Sequence, residues 1–199
     1  MKELVFASTN MGKIAEIQQL LQGQDILVIP QGDLGVGEVE ETGLTFVENA
    51  LLKARFACEV TGRPALADDS GLAVDYLQGG PGIYSARYAG TPCNSDVNIA
   101  KLLKALSGVK EEARTARFIC ILVFMRHAKD PMPGIFQGIW EGRVLESPRG
   151  NNGFGYDPVM YINSHRCSAA ELPPDIKNKL SHRGQAFLQF QAFMKVHKL

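Results

Sequence analysis

Leu66-Ala67-Asp68-Asp69-Ser70-Gly71 runs from small and apolar residues into two adjacent carboxylates, a hydroxyl and a glycine. The pattern predicts a buried strand that ends at a turn and delivers charge to the carboxyl edge of an open α/β sheet, where ligands bind. Asp68 and Asp69 would repel each other there, so a compensating group is required. A divalent cation serves, since Mg2+ takes a few carboxylates together with substrate phosphates. A plain Asx-type turn is the alternative these residues leave open.

Upstream, residues 3–7 read as a first strand, Ser8-Thr9-Asn10-Met11-Gly12-Lys13 as a polar turn, and Ile14, Ile17, Leu20 and Leu21 as the apolar face of a helix. A strand, a short turn and a helix start present backbone N–H groups to a phosphate. The Gly-x-x-x-x-Gly-Lys spacing of a P-loop is missing. Ser8 or Asn10 could equally be a simple cap and Lys13 a solvated charge. Residues 26–29 read as a second strand, and residues 31–43 as a polar loop carrying Glu38, Glu40 and Glu41. Thr45-x-x-Glu48 is a capping box, so a helix is expected from near Phe46, ending at Gly62, with Ala50, Leu51, Ala54, Ala57 and Cys58 buried. Lys53 lies on a neighbouring face, either in solvent or reaching back to Glu41 and the aspartate pair.

Downstream, residues 72–76 are expected to form a separate short strand, and residues 83–88 an extended segment or one helical turn. Ile99, Leu102, Leu103 and Leu106 mark an amphipathic helix ending at Gly108. Residues 117–125 are apolar on both faces, as in a central strand. Residues 135–140 and 143–146 suggest a hairpin around Glu141-Gly142. Arg149-Gly150-Asn151-Asn152-Gly153-Phe154-Gly155-Tyr156-Asp157-Pro158 is glycine-rich, so its backbone can approach a ligand closely. Phe154 beside Asp157 suits a purine, stacked on the ring and hydrogen-bonded at its edge, unless the ring tucks into the core. Ser168-x-x-Glu171 is a second possible capping box, followed by Pro173-Pro174 and a short helix with Lys177 and Lys179. Ser181 would cap the last helix, placing His182 and Arg183 in its first turn against the helix dipole. Cations so placed serve an anion or an oxygen acceptor, or are ordinary surface residues.

At 199 residues, with 45% hydrophobic residues, the chain suits one large domain or two closely joined lobes. A formal net charge of zero supplies no general field for nucleic acid or an anionic membrane, so phosphate affinity must come from a local cluster. Met1-Lys2-Glu3-Leu4-Val5-Phe6 leads straight into a strand without a signal-peptide pattern, and no apolar run reaches the length of a membrane span. Cys58, Cys93, Cys120 and Cys167 form no Cys-x-x-Cys pair, which argues against zinc and for reduced thiols in the cytoplasm.

The phosphate-type turn, acidic loop, aspartate pair, aromatic glycine loop and cationic helix start all suit a nucleotide bound with a divalent metal. With these pieces in this order, the chain resembles the inosine/xanthosine triphosphate pyrophosphatases, which clear non-standard purine nucleotides. The matching stretches are Ser8-Thr9-Asn10-Met11-Gly12-Lys13, residues 40–50, residues 67–72, residues 81–87, Gly153-Phe154-Gly155-Tyr156-Asp157-Pro158 and Ser181-His182-Arg183-Gly184. The resemblance implies a single inosine triphosphate pyrophosphatase-like domain over residues 1–199, α/β and two-lobed. A long mixed central sheet would be flanked by helices, with a nucleotide cleft between the lobes. It also implies a homodimer, Mg2+ dependence, and hydrolysis of a nucleoside triphosphate to the monophosphate and pyrophosphate. Carried over by position, Ser8, Thr9, Asn10, Met11, Gly12 and Lys13 form the phosphate turn, and Lys53 holds phosphate. Glu41 and Asp69 hold metal, with Glu40 and Asp68 nearby, and Asp69 is the general base. Ser70 touches substrate, and Phe154 stacks on the base beside Gly155, Tyr156 and Asp157. Lys177, His182 and Arg183 complete the base and phosphate contacts. The rivals are a pyrophosphatase for pyrimidine or modified nucleotides, a nucleotide sensor without turnover, and a phosphatase releasing orthophosphate.

Overall fold

Seven strands hydrogen-bond in the order β2-β1-β3-β4-β5-β6-β7 in the structure, a computed structural model that describes residues 2–197; Met1, which begins the N-terminal run quoted above, lies outside them. The strands are β1 (Lys2–Ala7), β2 (Ile26–Pro30), β3 (Ala65–Val74), β4 (Thr115–Met125), β5 (Gly134–Val144), β6 (Met160–Ile162) and β7 (Cys167–Ser168). The helices are α1 (Met11–Leu20), α2 (Phe46–Thr61), α3 (Ser95–Ala105), α4 (Pro174–Leu180) and α5 (His182–His197). β1 pairs parallel with both β2 and β3, whereas β5, β6 and β7 pair antiparallel in turn, so the sheet is mixed. The fold is the expected α/β arrangement of a mixed central sheet flanked by helices.

The chain divides into two compact units. One comprises the chain up to Asp69, Cys120–Gly138 and the chain from Arg183 onward; the other comprises Ser70–Ile119 and Ile139–His182. In the first unit, side chains alternate across the strands and build a core on each face of the sheet. Leu4, Phe6, Leu66, Leu122 and Phe124 pack with Ile14 and Ile17 of α1 and Phe187 and Phe190 of α5. Val5, Ala7, Ala65, Ala67, Ile121 and Val123 pack with Ala50, Ala54 and Ala57 of α2. Fully burying a ring such as Phe187 or Phe190 contributes about 1.5–3 kcal/mol. The small alanines of the second face let α2 approach the sheet closely. In the second unit, Leu72, Val74, Phe118 and Trp140 pack with Ile99, Leu102 and Leu106 of α3.

Local signals set both ends of α2. The Thr45 hydroxyl accepts from the Glu48 amide at 3.3 Å to start α2, and Gly62, with φ 65°, closes it in the left-handed region. The capping box at Ser168 starts only a short 3-10 turn, Ala169–Glu171, and α4 begins at Pro174. Gly82–Arg87 is a 3-10 helix, in keeping with the helical alternative for residues 83–88.

Two expectations are corrected. The aspartate pair does not end a strand: β3 continues through Asp68, Asp69, Ser70 and Gly71 to Val74, so no separate strand begins at Leu72. Adjacent strand residues point to opposite faces, so the two carboxylates do not confront each other. Each is compensated on its own side, as described below. The hairpin around Glu141-Gly142 is also absent, because β5 runs unbroken from Gly134 to Val144. Gly142 is needed for close approach, not for a turn: a Cβ there would lie 2.3 Å from the Tyr161 carbonyl oxygen on β6.

Candidate functional site

Asp69 lies on the face of β3 that meets α2. Lys53, reaching from α2, donates to Asp69 Oδ1 at 2.9 Å and to Glu41 Oε1 at 2.9 Å. One ammonium thus bridges two carboxylates, and the trio keeps a net negative charge. Asp69 Oδ2 is buried and has no hydrogen-bond partner among the described residues. Burial lifts the Asp69 carboxyl above its ordinary range, against the Lys53 charge and hydrogen bond, which pull it down. Burial pulls the Lys53 ammonium down, yet Asp69 and Glu41 together hold it above its ordinary value. Lys53 is therefore a firmly charged group beside an acceptor oxygen.

Asp68 points to the opposite face and is fully enclosed. Lys13 of α1 forms an ion pair with its Oδ1, Arg183 Nε donates to its Oδ2 at 3.2 Å, and the Cys120 thiol donates to Oδ2 at 3.1 Å. Arg183, itself 2% exposed, also pairs with Glu16 of α1. Burial pushes the Asp68 carboxyl up, but Lys13 and Arg183 outweigh it and hold it far below the usual carboxylate range. Asp68, Glu16, Lys13 and Arg183 sum to zero charge, which is the condition for burying such a network.

The turn before α1 is shorter than the expected residues 8–13: it ends at Asn10, and Met11, Gly12 and Lys13 already belong to the helix. The Asn10 side chain caps the helix by accepting from the Lys13 amide at 3.1 Å, and the Ser8 hydroxyl accepts from the Asn10 amide at 3.2 Å. Thr9 Oγ1 donates to Glu38 Oε1 at 2.6 Å. Met11 and Gly12 form the first turn of α1, with the Met11 side chain exposed. Capping and phosphate binding are compatible, since the cap fixes the direction of the remaining N–H groups.

The second unit holds the other set. Asp157 is buried, and its Oδ2 accepts from the Phe154 amide at 2.8 Å and from Lys177 Nζ at 2.7 Å. Lys177 Nζ also lies 5.0 Å from the centroid of the half-buried Phe154 ring. Gly153, at φ 76°, admits no side chain, because a Cβ would fall 2.1 Å from Asp157 Oδ2. Gly155 is likewise left-handed, at φ 61°. Tyr156 turns inward: its hydroxyl donates to the Ser85 carbonyl at 2.8 Å, and burial raises its phenol. His182 is buried against Phe118, with ring centroids 4.9 Å apart. Ser70 is half-buried on β3.

The first unit therefore gathers Ser8, Thr9, Asn10, Met11, Gly12, Lys13, Glu41, Lys53, Asp69 and Arg183. The second holds Ser70, Phe154, Gly155, Tyr156, Asp157, Lys177 and His182. Sequence reading gives no site role to Glu16, Cys120, Phe118 or Asn49, although Asn49 shares a helix face with Lys53 and lies in the matching stretch 40–50. Glu16 stands three residues after Lys13 on one helix face, a spacing that signals a charged neighbour. The partners of Cys120 and Phe118 lie far away along the chain, and no local pattern marks them.

Glu41 and Asp69 supply hard oxygen donors, one of them buried and unpartnered, and no group of three or more His, Cys, Asp or Glu residues among the described residues could hold a metal by itself. That donor set fits a hard divalent cation, which takes carboxylate oxygens and completes its shell with water and substrate phosphate.

The Ham1 family pattern matches residues 4–193. A dITP/XTP pyrophosphatase of Xanthomonas oryzae is 54% identical over 199 residues, covering 100% of this chain and 99% of that protein. A dITP/XTP pyrophosphatase of Legionella pneumophila is 53% identical over 194 residues, covering 98% and 99% of the two chains. The structure of a HAM1 protein from Coxiella burnetii superposes with a TM-score of 0.91 at 49% identity, covering 98% of this chain and 99% of that one.

Proposed function

The chain belongs to the Ham1 family, and from that premise we propose that it hydrolyses non-standard purine nucleoside triphosphates, dITP/ITP and XTP/dXTP, to the monophosphate and pyrophosphate. Such an activity clears these nucleotides from the pool before they enter DNA or RNA. The observation that carries the reading is Lys53 at 2.9 Å from both Asp69 and Glu41, beside the unpartnered Asp69 Oδ2.

Attack of water between the α- and β-phosphates requires a proton acceptor near the water and positive charge near the leaving oxygens. Asp69 is the acceptor, through Oδ2; burial raises its carboxyl, which strengthens it as a base, while the Lys53 charge opposes that rise. Lys53 and Lys13 stabilise the phosphate oxygens as charge builds. Thr9, Asn10 and the N–H groups at the start of α1, with Ser8, Met11 and Gly12 shaping the turn, hold the phosphate chain. Glu41 and Asp69 would hold Mg2+, which when bound offsets negative charge on the leaving pyrophosphate. Ser70 touches the substrate.

The purine stacks on Phe154, whose position is set by Asp157 and Lys177. Gly155 and Tyr156 shape the same loop. His182 and Arg183 carry donors that satisfy the six-oxygen of hypoxanthine or xanthine, and Lys177 completes the base and phosphate contacts. Adenine places an amino donor there, so the enzyme's donors would stay unpaired, a mismatch that discriminates by orders of magnitude. No helix among the described residues is long and apolar enough to cross a membrane. A cytoplasmic homodimer is the setting we assign, with a small-molecule nucleotide, and neither nucleic acid nor membrane, as partner.

A panel of nucleotides assayed for pyrophosphate and orthophosphate, with and without Mg2+, tests the proposal. Pyrophosphate from ITP, dITP and XTP, dependent on Mg2+ and exceeding that from ATP or GTP, is expected. Orthophosphate as product, preference for pyrimidines, or binding without turnover refutes it.

A further inference from the structure

Glu41 lies between Leu34, which ends a 3-10 turn, and Phe46, which begins α2, in a stretch without helix or strand. No ladder of backbone hydrogen bonds places its carboxylate. Side chains must do so, and two of them act at its C-terminal side. Glu48 accepts from the Leu44 amide at 2.9 Å as part of the cap of α2. Asn49, completely buried, accepts from the Gly43 amide through Oδ1 at 2.9 Å. The approach is close: a Cβ on Gly43 would lie 2.5 Å from Glu48 Cβ and 2.7 Å from Asn49 Oδ1. The Asn49 bond is not explained by helix capping, which Thr45 and Glu48 already accomplish. Nor does stability alone explain it, because Asn49 Nδ2 is buried without a partner among the described residues, a cost an apolar side chain would not incur.

We propose that Asn49 is a positioning residue: by holding the Gly43 backbone against the first turns of α2, it keeps Glu41 over Lys53 in the geometry that receives the cation. The inference rests on the reading of Glu41 and Asp69 as metal-holding carboxylates. Groups that hydrogen-bond a metal ligand directly typically affect metal affinity or activity by about 10–100-fold; Asn49 acts through the Gly43 backbone, so the lower end of that range applies.

The test is Asn49→Leu, which keeps the branched outline in a bulkier side chain and removes the acceptor, beside Asn49→Ala, which removes it without added bulk, and Gly43→Ala, which breaks the same contact from the loop side. For each, the half-saturating Mg2+ concentration with ITP is measured, together with amide hydrogen exchange over residues 38–44 in the metal-free protein and the Tm. The expected result is a rise of roughly tenfold or more in half-saturating Mg2+ and faster exchange confined to residues 38–44. In addition, the double variant is no worse than the more affected single one, since both act through one bond. Unchanged exchange over that stretch, unchanged Mg2+ dependence, or a shift seen only with a collapse in Tm and protein-wide faster exchange overturns the proposal. Should the wild-type protein release no pyrophosphate in Mg2+, the functional reading fails by itself. The exchange measurement still decides whether Asn49 anchors the loop.

Discussion

Asp68 and Asp69 are the same residue type, one peptide apart on one strand, yet they sit in opposite chemical circumstances. Asp68 is saturated by Lys13, Arg183 and the Cys120 thiol within a neutral network. Among the described residues, Asp69 is held by Lys53 and has an acceptor oxygen left over. The first carboxylate is equipped to hold α1 and α5 against the sheet. The second is equipped to take a proton or a cation. A strand that alternates its side chains can thus separate architecture from chemistry within two residues.

The largest expected effect breaks the comparison at Asp69. Asp69→Asn removes the proton acceptor while leaving the shape, so kcat with ITP should fall roughly 10³-fold or more, with nucleotide binding retained. Near-normal turnover in the purified variant would remove Asp69 from that role. Breaking the other side should show in stability first. Asp68→Ala leaves the buried network with one uncompensated positive charge, since Glu16 still pairs with Arg183, an expected loss of about 3–5 kcal/mol. In a chain of this length that lowers Tm by roughly 10 °C, readable by calorimetry. A Tm unchanged from wild type would mean the network carries no weight.

Arg183→Ala sharpens the contrast, because this side chain is proposed as a base contact and is also paired with Asp68 and Glu16. The ratio of kcat/KM for ITP over ATP should narrow about tenfold or more if Arg183 reads the base. A lowered Tm with an unaltered ratio would assign it to the scaffold alone. The smallest effect is expected at Asp130, outside both clusters. Its carboxylate accepts from the Arg126 side chain at 2.8 and 2.7 Å and from the Met132 amide at 3.0 Å, and these bonds to Arg126 and Met132 hold it below the usual range. A depressed carboxyl contributes stability above its unfolded value, about 3.9, and loses it as pH falls through the folded value. Asp130→Asn should therefore lower Tm by about a few degrees at neutral pH, with the gap closing under acid conditions. A gap that persists or widens in acid would reverse that sign.

Sequence reading succeeded where the signal is local. Thr45 and Glu48 announce the start of α2, Gly62 its end, and Asn10 the cap of α1, because capping depends on residues within one turn. It failed at Gly71 and Gly142, both read as turns. A glycine permits a turn but also permits close packing, and only the neighbouring strand shows which is used. It also foresaw that Lys53 could reach Glu41 and Asp69, since a lysine on the flank of a buried helix face has few other targets. It did not foresee Asn49, whose spacing looks like an ordinary polar position in the first turns of α2.

By itself the sequence determined the apolar faces of the helices, the helix caps, the mixture of strand and helix, and a set of motifs sufficient to identify a family. The tertiary structure decided which aspartate faces which helix, and that Arg183 and Asp68, 115 residues apart, share one buried ion network. Periodicity and capping are written into neighbouring residues. The compensation of a buried charge depends on whatever the fold brings within a few ångströms, and no local spacing records that.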